Sequence, residues 1–235
     1  DAPWYEPLTL LTMIAANTTS INLATAILIA PLRSPALLAK TAASLDAISN
    51  GRLELGVGLG WQEEEYEASG IAFDQRGKIF WETLDICQSL WTGGPVSHKG
   101  EMFEFNDIWC HPKPPQGNDI PLLFGVKMTE SNAQKIAKIG HGWIPIKTGR
   151  DFISEGSERL NNAFKEAGRD DKPRIRGQLP TCVDSNGIPS VDLTLKELEK
   201  SMEAGLEEIE VFPINFAQSP DHLREVLELI GELKK

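Results

Sequence analysis

The chain has 235 residues, 41% hydrophobic and 24% charged, so it can form a folded core and is not a disordered acidic segment. Its formal net charge of −11 disfavours general affinity for nucleic acid or anionic membranes. The longest apolar run, residues 21–32, is shorter than the roughly 20 residues that cross a bilayer, so we expect no membrane span. Its three widely spaced cysteines indicate reduced thiols and a cytoplasmic protein rather than a disulfide framework.

Apolar, β-prone segments alternate with amphipathic segments along the chain. After a helical start at residues 8–17, strands are predicted at 21–29, 53–57, 122–124, 142–146, 174–183 and 208–212. Helices are predicted at 62–68, 74–91, 129–139 and 151–167, and in the segments that follow three opening signals: Ser34–Pro35, the capping-box spacing of Thr194 and Glu197, and Ser219–Pro220. Asn50–Gly51 and Gly205 are expected to close two of these helices.

One segment interrupts this alternation. Residues 96–108 are predicted to form a hairpin that turns at residues 98–100, and the prolines after it favour an extended link outside any sheet. We therefore expect residues 1–235 to be a single domain with an insertion at about residues 93–118.

Repeated βα units predict a parallel sheet, which is either open and doubly wound or closed as a (β/α)8 barrel. A barrel usually needs eight strands in about 250 residues. Because six strands are visible here, the barrel alternative requires about two more strands before Asp1.

Ligands of parallel βα folds bind at the carboxyl ends of the strands. The turn with Gly56, Gly58 and Gly60 lacks the third glycine of a dinucleotide fingerprint, and an ordinary tight turn explains it equally well. Residues 125–129 place Lys127 and the Thr129 hydroxyl before a helix, which suits a phosphate; the alternative is a simple cap with a solvated lysine. Two more cations that follow strands are Arg33 and Lys147.

Other chemistry is not indicated. The acidic run at residues 63–67 is typical of a solvated helix face, from which one carboxylate can turn inward. Cys110 and His111 lack a second pair at zinc-like spacing, so no metal site is predicted, and no nucleophile triad is visible. Trp61 and Trp143 lie at strand ends, where they can wall a ring-shaped ligand.

Several ordered motifs together resemble the luciferase-like monooxygenase family, in particular its deazaflavin (coenzyme F420) dependent oxidoreductases. The motifs include Pro31-Leu32-Arg33-Ser34-Pro35, Gly51-Arg52-Leu53, Gly56-Val57-Gly58-Leu59-Gly60-Trp61, Leu90-Trp91-Thr92, Pro112-Lys113-Pro114 and residues 140–145. The likeness covers most of the chain and weakens after about Arg150.

This resemblance implies an α/β fold, the (β/α)8 TIM barrel of the bacterial luciferase type, whose first strands would precede this chain. It also implies a flavin or deazaflavin across the strand ends. Ala26 and Ile27 would lie behind the ring, near a cis peptide that does not involve proline. Gly58 and Glu64 would line the ribityl side, and Gly125, Lys127 and Thr129 would hold the phosphate.

Two departures from the family pattern are Val126-Lys127, where many members have two glycines, and His141, where an Asp is frequent. Members with a proton donor commonly place it on the early strands, so no catalytic residue is assigned.

The predicted function is hydride transfer between reduced coenzyme F420 and a small organic substrate, by a cytoplasmic homodimer. The alternatives are an FMN-dependent monooxygenase, a flavin-binding relative without turnover, and an unrelated phosphate-binding barrel such as a sugar-phosphate isomerase or aldolase. The identity of the substrate is not predicted.

Overall fold

The computed structural model describes residues 5–147, 149–178, 181–217 and 219–232. The chain divides into two compact units. The first unit comprises Asp1–Val126 with Ile139–His141, and the second comprises Lys127–Lys138 with Gly142–Lys235. Within the described ranges, no helix combines the length and the apolar character that a membrane span requires.

The first unit contains four α-helices and five strands among its described residues. The helices are α1 (Pro7–Asn17), α2 (Pro35–Ser49), α3 (Glu63–Ala68) and α4 (Arg76–Trp91). The strands are β1 (Leu23–Ile29), β2 (Leu53–Gly58), β3 (Val96–Lys99), β4 (Glu104–Ile108) and β5 (Leu122–Gly125). The strands β1, β2 and β5 are parallel and neighbours in that order, and every residue of β2 is buried. The central strand is apolar except for Glu54, which is buried and accepts a hydrogen bond from the Asn22 side chain at 3.1 Å.

The boundaries of α2 follow the predicted signals. The Ser34 hydroxyl accepts a hydrogen bond from the Leu37 amide, and Pro35 is the first helical residue. Asn50 ends the helix in the left-handed region at φ 58°. These caps provide partners for backbone groups at both ends of the helix. The helix packs on α4, where the Trp91 indole donates to the Ala39 carbonyl at 3.0 Å.

The insertion is an antiparallel hairpin of β3 and β4, as predicted, although His98 and Lys99 belong to β3 and the turn comes after them. The Glu82 carboxylate of α4 accepts hydrogen bonds from the amides of residues 101–103, at 2.8 Å from Phe103. His98 Nε2 lies 3.0 Å from the same carboxylate. One helical side chain thus fixes the tip of the hairpin through its backbone.

A buried carboxylate holds the link that follows the hairpin. Asp46 of α2 is fully buried and accepts hydrogen bonds from the Gln116 amide at 3.1 Å and from the Gln116 side chain at 2.8 Å. The Gln116 side chain also donates to the Leu53 carbonyl at 2.9 Å. The proline-rich link is therefore tied to the start of β2.

The second unit contains four α-helices and three strands among its described residues. The helices are α5 (Glu130–Ile139), α6 (Arg150–Glu166), α7 (Val191–Glu203) and α8 (Pro220–Glu232). The strands are β6 (Gly142–Trp143), β7 (Arg174–Gln178) and β8 (Glu208–Glu210), which pair in parallel in chain order. Trp143 is fully buried and fills the space beside Gly156 of α6, where an added Cβ would lie 2.2 Å from the indole. It is a core residue, not the wall of a ligand site that its position predicted.

Four predicted boundaries in the second unit are wrong, one of them that of the strand expected at 208–212, which ends at Glu210. The strand expected at 142–146 ends at Trp143, and the strand expected at 174–183 ends at Gln178, with residues 179 and 180 outside the described ranges. Thr194 does not open α7. Ser190 caps the helix instead, with its hydroxyl accepting a hydrogen bond from the Leu193 amide. The Thr194 hydroxyl is used elsewhere, since it accepts a hydrogen bond from the Cys182 amide at 2.8 Å.

Candidate functional site

Four of the residues singled out in the sequence lie together in the first unit: Gly58 and Gly125 end β2 and β5, and Ala26 and Ile27 lie within β1. We call Ala26, Ile27, Gly58 and Gly125 the strand-end cluster. Gly58 pairs with Gly125 across β2 and β5, and Ile29 pairs with Gly58 across β1 and β2. The register of β1 shifts between Thr25 and Leu28, and the Ala26–Ile27 peptide is cis, as the resemblance implied.

The Ile27 side chain covers both glycines of the cluster. A Cβ on Gly58 would lie 2.9 Å from Ile27 Cγ2 and 3.1 Å from the Gly125 carbonyl oxygen. A Cβ on Gly125 would lie 1.8 Å from Ile27 Cδ1. All three distances are shorter than van der Waals contact, so these positions need glycine while Ile27 keeps its place.

The bulge in β1 opens onto a cleft of about 360 Å³. Its lining is largely apolar and carries no ionisable group except the Tyr5 phenol: Tyr5, Pro7, Leu10, Leu11, Ala24, Thr25, Ala26 and Ile27. The Thr25 hydroxyl donates to the Gly56 carbonyl at 2.8 Å, so its hydrogen atom is used within the sheet. This cleft suits an apolar or aromatic group in size and chemistry.

A buried tyrosine holds the turn that follows β2. Tyr66 of α3 is fully buried, and its hydroxyl donates a hydrogen bond to the Leu59 carbonyl. Burial raises the pKa of the Tyr66 phenol, so the hydroxyl keeps the proton that it donates. The Tyr66 ring packs edge-on against the Phe73 ring, with 5.2 Å between the ring centres. The Arg76 guanidinium lies over the Phe73 ring, 3.6 Å from its centre.

The neighbouring candidates of this turn face water. Glu64 lies in the first turn of α3 and is exposed, as are two other carboxylates of the acidic run, Glu63 and Glu67. Trp61 is 81% exposed. The structure therefore places Glu64 next to the turn and leaves its carboxylate accessible to a ligand from solvent.

The other two candidates, Lys127 and Thr129, lie in the second unit and lead into α5. We call residues 127–129 the helix-start turn. The Thr129 hydroxyl accepts a hydrogen bond from the Asn132 amide at 3.2 Å, and the Thr129 amide donates to the Lys127 carbonyl at 2.9 Å. The Asn132 side chain donates to the same carbonyl at 2.9 Å. Thr129 is thus the N-cap of a ten-residue helix, whose first N–H groups have no partners within the helix.

Arg159 of α6 supports the helix-start turn and was not singled out in the sequence. Its guanidinium donates to the Met128 carbonyl at 2.5 Å and lies 3.7 Å from the Glu130 carboxylate. It also lines a cleft of about 310 Å³ with Asn162 and the carboxylates of Glu130, Glu155, Glu158 and Glu166. Nothing in the spacing of Arg159 indicated this role, because its partner carbonyl lies 31 residues earlier in the chain.

One other expectation from the sequence has a clear outcome. Arg33 follows β1, but its guanidinium pairs with the Glu6 carboxylate at 2.8 Å, so its charge is already matched. In the described part of the chain, no three His, Cys, Asp or Glu side chains form a group that could hold a metal ion.

Comparison with known proteins identifies the family. Residues 1–187 match the family model of the luciferase-like monooxygenases. An uncharacterized protein of Mycobacterium tuberculosis is 37% identical over 174 residues, which are 74% of this chain and 59% of that protein. The chain thus spans about three fifths of the length of this relative.

Solved structures show the same fold at low sequence identity. The F420-dependent tetrahydromethanopterin reductase of Methanopyrus kandleri superposes with a TM-score of 0.74 at 17% identity, over 94% of this chain and 85% of that chain. The oxygenating constituent of 3,6-diketocamphane monooxygenase from Pseudomonas putida, solved with FMN, superposes with a TM-score of 0.65 at 22% identity, over 76% and 54%. The predicted α/β fold of the luciferase-like barrels is confirmed. With a family model that matches most of its length, this chain belongs to the luciferase-like monooxygenase family.

Proposed function

We propose that the chain is part of an oxidoreductase that binds reduced coenzyme F420 and moves a hydride to or from a small organic substrate. The observation that carries the proposal is the strand-end cluster, where the Ile27 side chain covers two glycines and, with Ala26, lines a largely apolar cleft. A cleft of about 360 Å³ falls in the range of small-molecule sites and can take an aromatic ring edge.

The residues of the first unit fit the ring part of such a cofactor. Glycine at positions 58 and 125 makes room for the Ile27 side chain, which is 37% exposed and offers an apolar surface. Glu64 is accessible beside the turn and suits hydroxyl groups of a ribityl chain. These residues would orient the ring and keep water from one of its faces.

The helix-start turn fits a phosphate. An anion at this turn would find three favourable groups: the first N–H groups of α5 with the positive end of its dipole, the Thr129 hydroxyl and the Lys127 ammonium. The four glutamates that line the neighbouring cleft oppose an anion, so the local donors have to outweigh them.

When bound, a flavin or deazaflavin supplies the ring that accepts or donates the hydride. The chain itself contributes binding, orientation and exclusion of water. In this proposal no side chain of the described residues is assigned to proton transfer at the ring.

Equilibrium titration of the purified protein with F420 and with FMN, followed by fluorescence, tests the choice of cofactor. We expect F420 to bind more tightly. FMN binding without measurable F420 affinity would overturn the preference and favour the second candidate, an FMN-dependent monooxygenase. That candidate is supported by the FMN-bound monooxygenase of Pseudomonas putida, which shares the fold.

Thr129→Val tests the phosphate assignment, with Thr129→Ser as its matched control. We expect the valine variant to bind the cofactor about tenfold more weakly, since one hydrogen bond to a charged group is lost, and the serine variant to bind like the wild type. Equal affinity of all three proteins would retire the assignment. Circular dichroism checks that α5 is retained.

Family membership sets aside the alternative of an unrelated sugar-phosphate barrel. We also propose that the protein acts as a homodimer on a small molecule in the cytoplasm. Analytical ultracentrifugation tests the dimer. A flavin-binding relative without turnover would bind cofactor in the titration and fail to oxidise reduced F420 with any carbonyl compound offered.

A further inference from the structure

The tripeptide Ser-Asn-Gly occurs twice in the chain, at residues 49–51 and at residues 185–187. An asparagine that precedes glycine loses its side-chain amide more readily than other asparagines, because glycine has no side chain to hinder attack by its backbone nitrogen. Both asparagine side chains, those of Asn50 and Asn186, are exposed. Since the tripeptide is the same at both places, the fold decides which of the two can react.

The turn at Asn50 is enclosed by other parts of the first unit. Asn50 ends α2, and the Gly51 N–H donates to the Asp46 carbonyl at 2.9 Å. A Cβ on Gly51 would lie 3.5 Å from Cγ of Gln116, so the proline-rich link packs against this glycine. The guanidinium of Arg52, the next residue, donates to carbonyls of α1 and of the residues just after it. This turn is therefore held by contacts with α1 and with the link.

The turn at Asn186 lies in the loop between β7 and α7 and is held by its own residues. The Gly187 N–H donates to the Asp184 carbonyl at 3.0 Å. The Asp184 carboxylate accepts hydrogen bonds from the amides of Asn186 at 2.8 Å and Ile188 at 2.9 Å, and these bonds lower the pKa of its carboxyl. Apart from its chain neighbours, no described residue has an atom within 4 Å of the point where a Cβ on Gly187 would be.

The two turns differ in the free energy that is needed to open them. Loss of the side-chain amide requires opening, because each glycine N–H is bonded to a carbonyl and its nitrogen has to turn towards the preceding side chain. Segments with few contacts open locally at little cost, whereas packed segments open only together with their neighbours. The turn at residues 185–187 can open alone, and the turn at residues 49–51 opens only when its contacts with α1 and the link are broken.

We propose that Asn186 is a site of spontaneous deamidation in the folded protein, and that the fold protects Asn50 from the same reaction. The Gly187 backbone nitrogen bonds to Cγ of Asn186, and the side-chain nitrogen leaves as ammonia with the proton that the backbone nitrogen loses. Water then adds to a carbonyl carbon of the resulting succinimide ring and breaks the bond of that carbon to the ring nitrogen. Cleavage at Cγ gives aspartate, and cleavage at the main-chain carbon gives isoaspartate.

Either product changes the loop between β7 and α7. The new carboxylate lies beside that of Asp184, and like charges repel each other. Isoaspartate also inserts a methylene group into the main chain, which disturbs the bridge between Val183 and Pro189 on the two sides of the turn. The modification goes beyond the proposed redox function and does not depend on which cofactor binds.

Peptide mapping by tandem mass spectrometry tests the proposal. Folded protein and protein denatured in guanidinium chloride are incubated side by side at mildly alkaline pH in water enriched in heavy oxygen, and are then digested in ordinary water. The heavy oxygen marks only the products formed during the incubation. We expect similar rates at Asn50 and Asn186 in the denatured protein, and a rate at least about tenfold higher at Asn186 in the folded protein.

Equal rates at the two positions in the folded protein would overturn the proposal, as would a ratio of rates that is the same in the folded and the denatured protein. Asp184→Ala tests the opening step, because it removes the carboxylate that holds the turn. The rate at Asn186 should rise about threefold or more in this variant, while the rate at Asn50 stays at the wild-type value and shows that the fold is retained. An unchanged rate at Asn186 would overturn the proposed opening of the turn.

Discussion

The Ile27 side chain of β1 fills the space that a side chain at position 125, the last residue of β5, would need. The Cδ1 atom of Ile27 lies 1.8 Å from the point where a Cβ on Gly125 would be. The glycine is therefore set by a neighbour 98 positions away in the chain and not by a turn conformation of its own, since its φ is not positive. The pair couples the two outer strands of the first unit.

Gly125→Ala tests this coupling. The added methyl should push the Ile27 side chain, which is 37% exposed, away from its rotamer and lower the free energy of unfolding by about 1 kcal/mol. In the double variant Ile27→Ala with Gly125→Ala, the space is free again, so the cost of the alanine at 125 should largely vanish. Urea unfolding of the wild type, both single variants and the double variant measures it; strictly additive effects would contradict the contact.

Tyr66→Phe removes the hydrogen bond to the Leu59 carbonyl and keeps the ring that packs on Phe73. We expect the free energy of unfolding to fall by about 1 kcal/mol, the usual net value of such a bond. Tyr5→Phe is the control, because Tyr5 is 67% exposed. Equal stability of both variants in urea would show that the Tyr66 hydroxyl does not hold the turn.

Glu82 should make the stability of the first unit depend on pH in acid. Burial opposes the charge of Glu82, but the hydrogen bonds from His98 and from the Met102 and Phe103 amides lower the pKa of its carboxyl in the folded state. A carboxyl with a lowered folded pKa stabilises the protein above its unfolded pKa of about 4.3 and loses that contribution as the pH falls through the folded pKa.

Glu82→Gln is the variant for this test, and Glu104→Gln, on an exposed strand position, is the control. The melting temperature of Glu82→Gln should lie below that of the wild type at pH 7, and the gap should narrow as the pH is lowered towards 3. A gap that stays constant over this range would contradict the lowered pKa.

The three cysteines should differ in reactivity. Burial raises the pKa of the Cys87 thiol well above the usual range and also raises that of Cys110, so neither forms a thiolate readily. Cys182 is partly exposed. We expect Ellman's reagent at pH 8 to modify one thiol per native chain and three in guanidinium chloride. Rapid modification of a second thiol under native conditions would contradict the burial of Cys87 and Cys110.

Local signals predicted much of the fold. Ser34 and Asn50 marked the ends of α2 because a cap acts within a few residues of its own position. The capping-box spacing of Thr194 and Glu197 failed for the opposite reason: the Thr194 hydroxyl is used by the Cys182 amide, 12 residues earlier. A distant partner that competes for a side chain leaves no trace in local spacing.

The candidate site shows the same division. Gly58, Gly125 and Thr129 could be singled out in the sequence because glycines and a hydroxyl before a helix are local features, and their role at a cofactor stays a prediction. Tyr66 and Arg159 were missed because each acts on a backbone carbonyl elsewhere, and neither residue type indicates such a contact. Arg33 was expected to supply free positive charge, but Glu6 neutralises it across a turn of the fold.

The hairpin is anchored through its main chain, so the side chains at its tip are not needed to hold it in place. Glu82 bonds to main-chain N–H groups of residues 101–103, which every amino acid except proline provides. Side chains at the tip can therefore diverge between relatives while the loop keeps its place on the scaffold. A loop tethered in this way can take new side chains by point substitution, without rebuilding the frame that carries the loop.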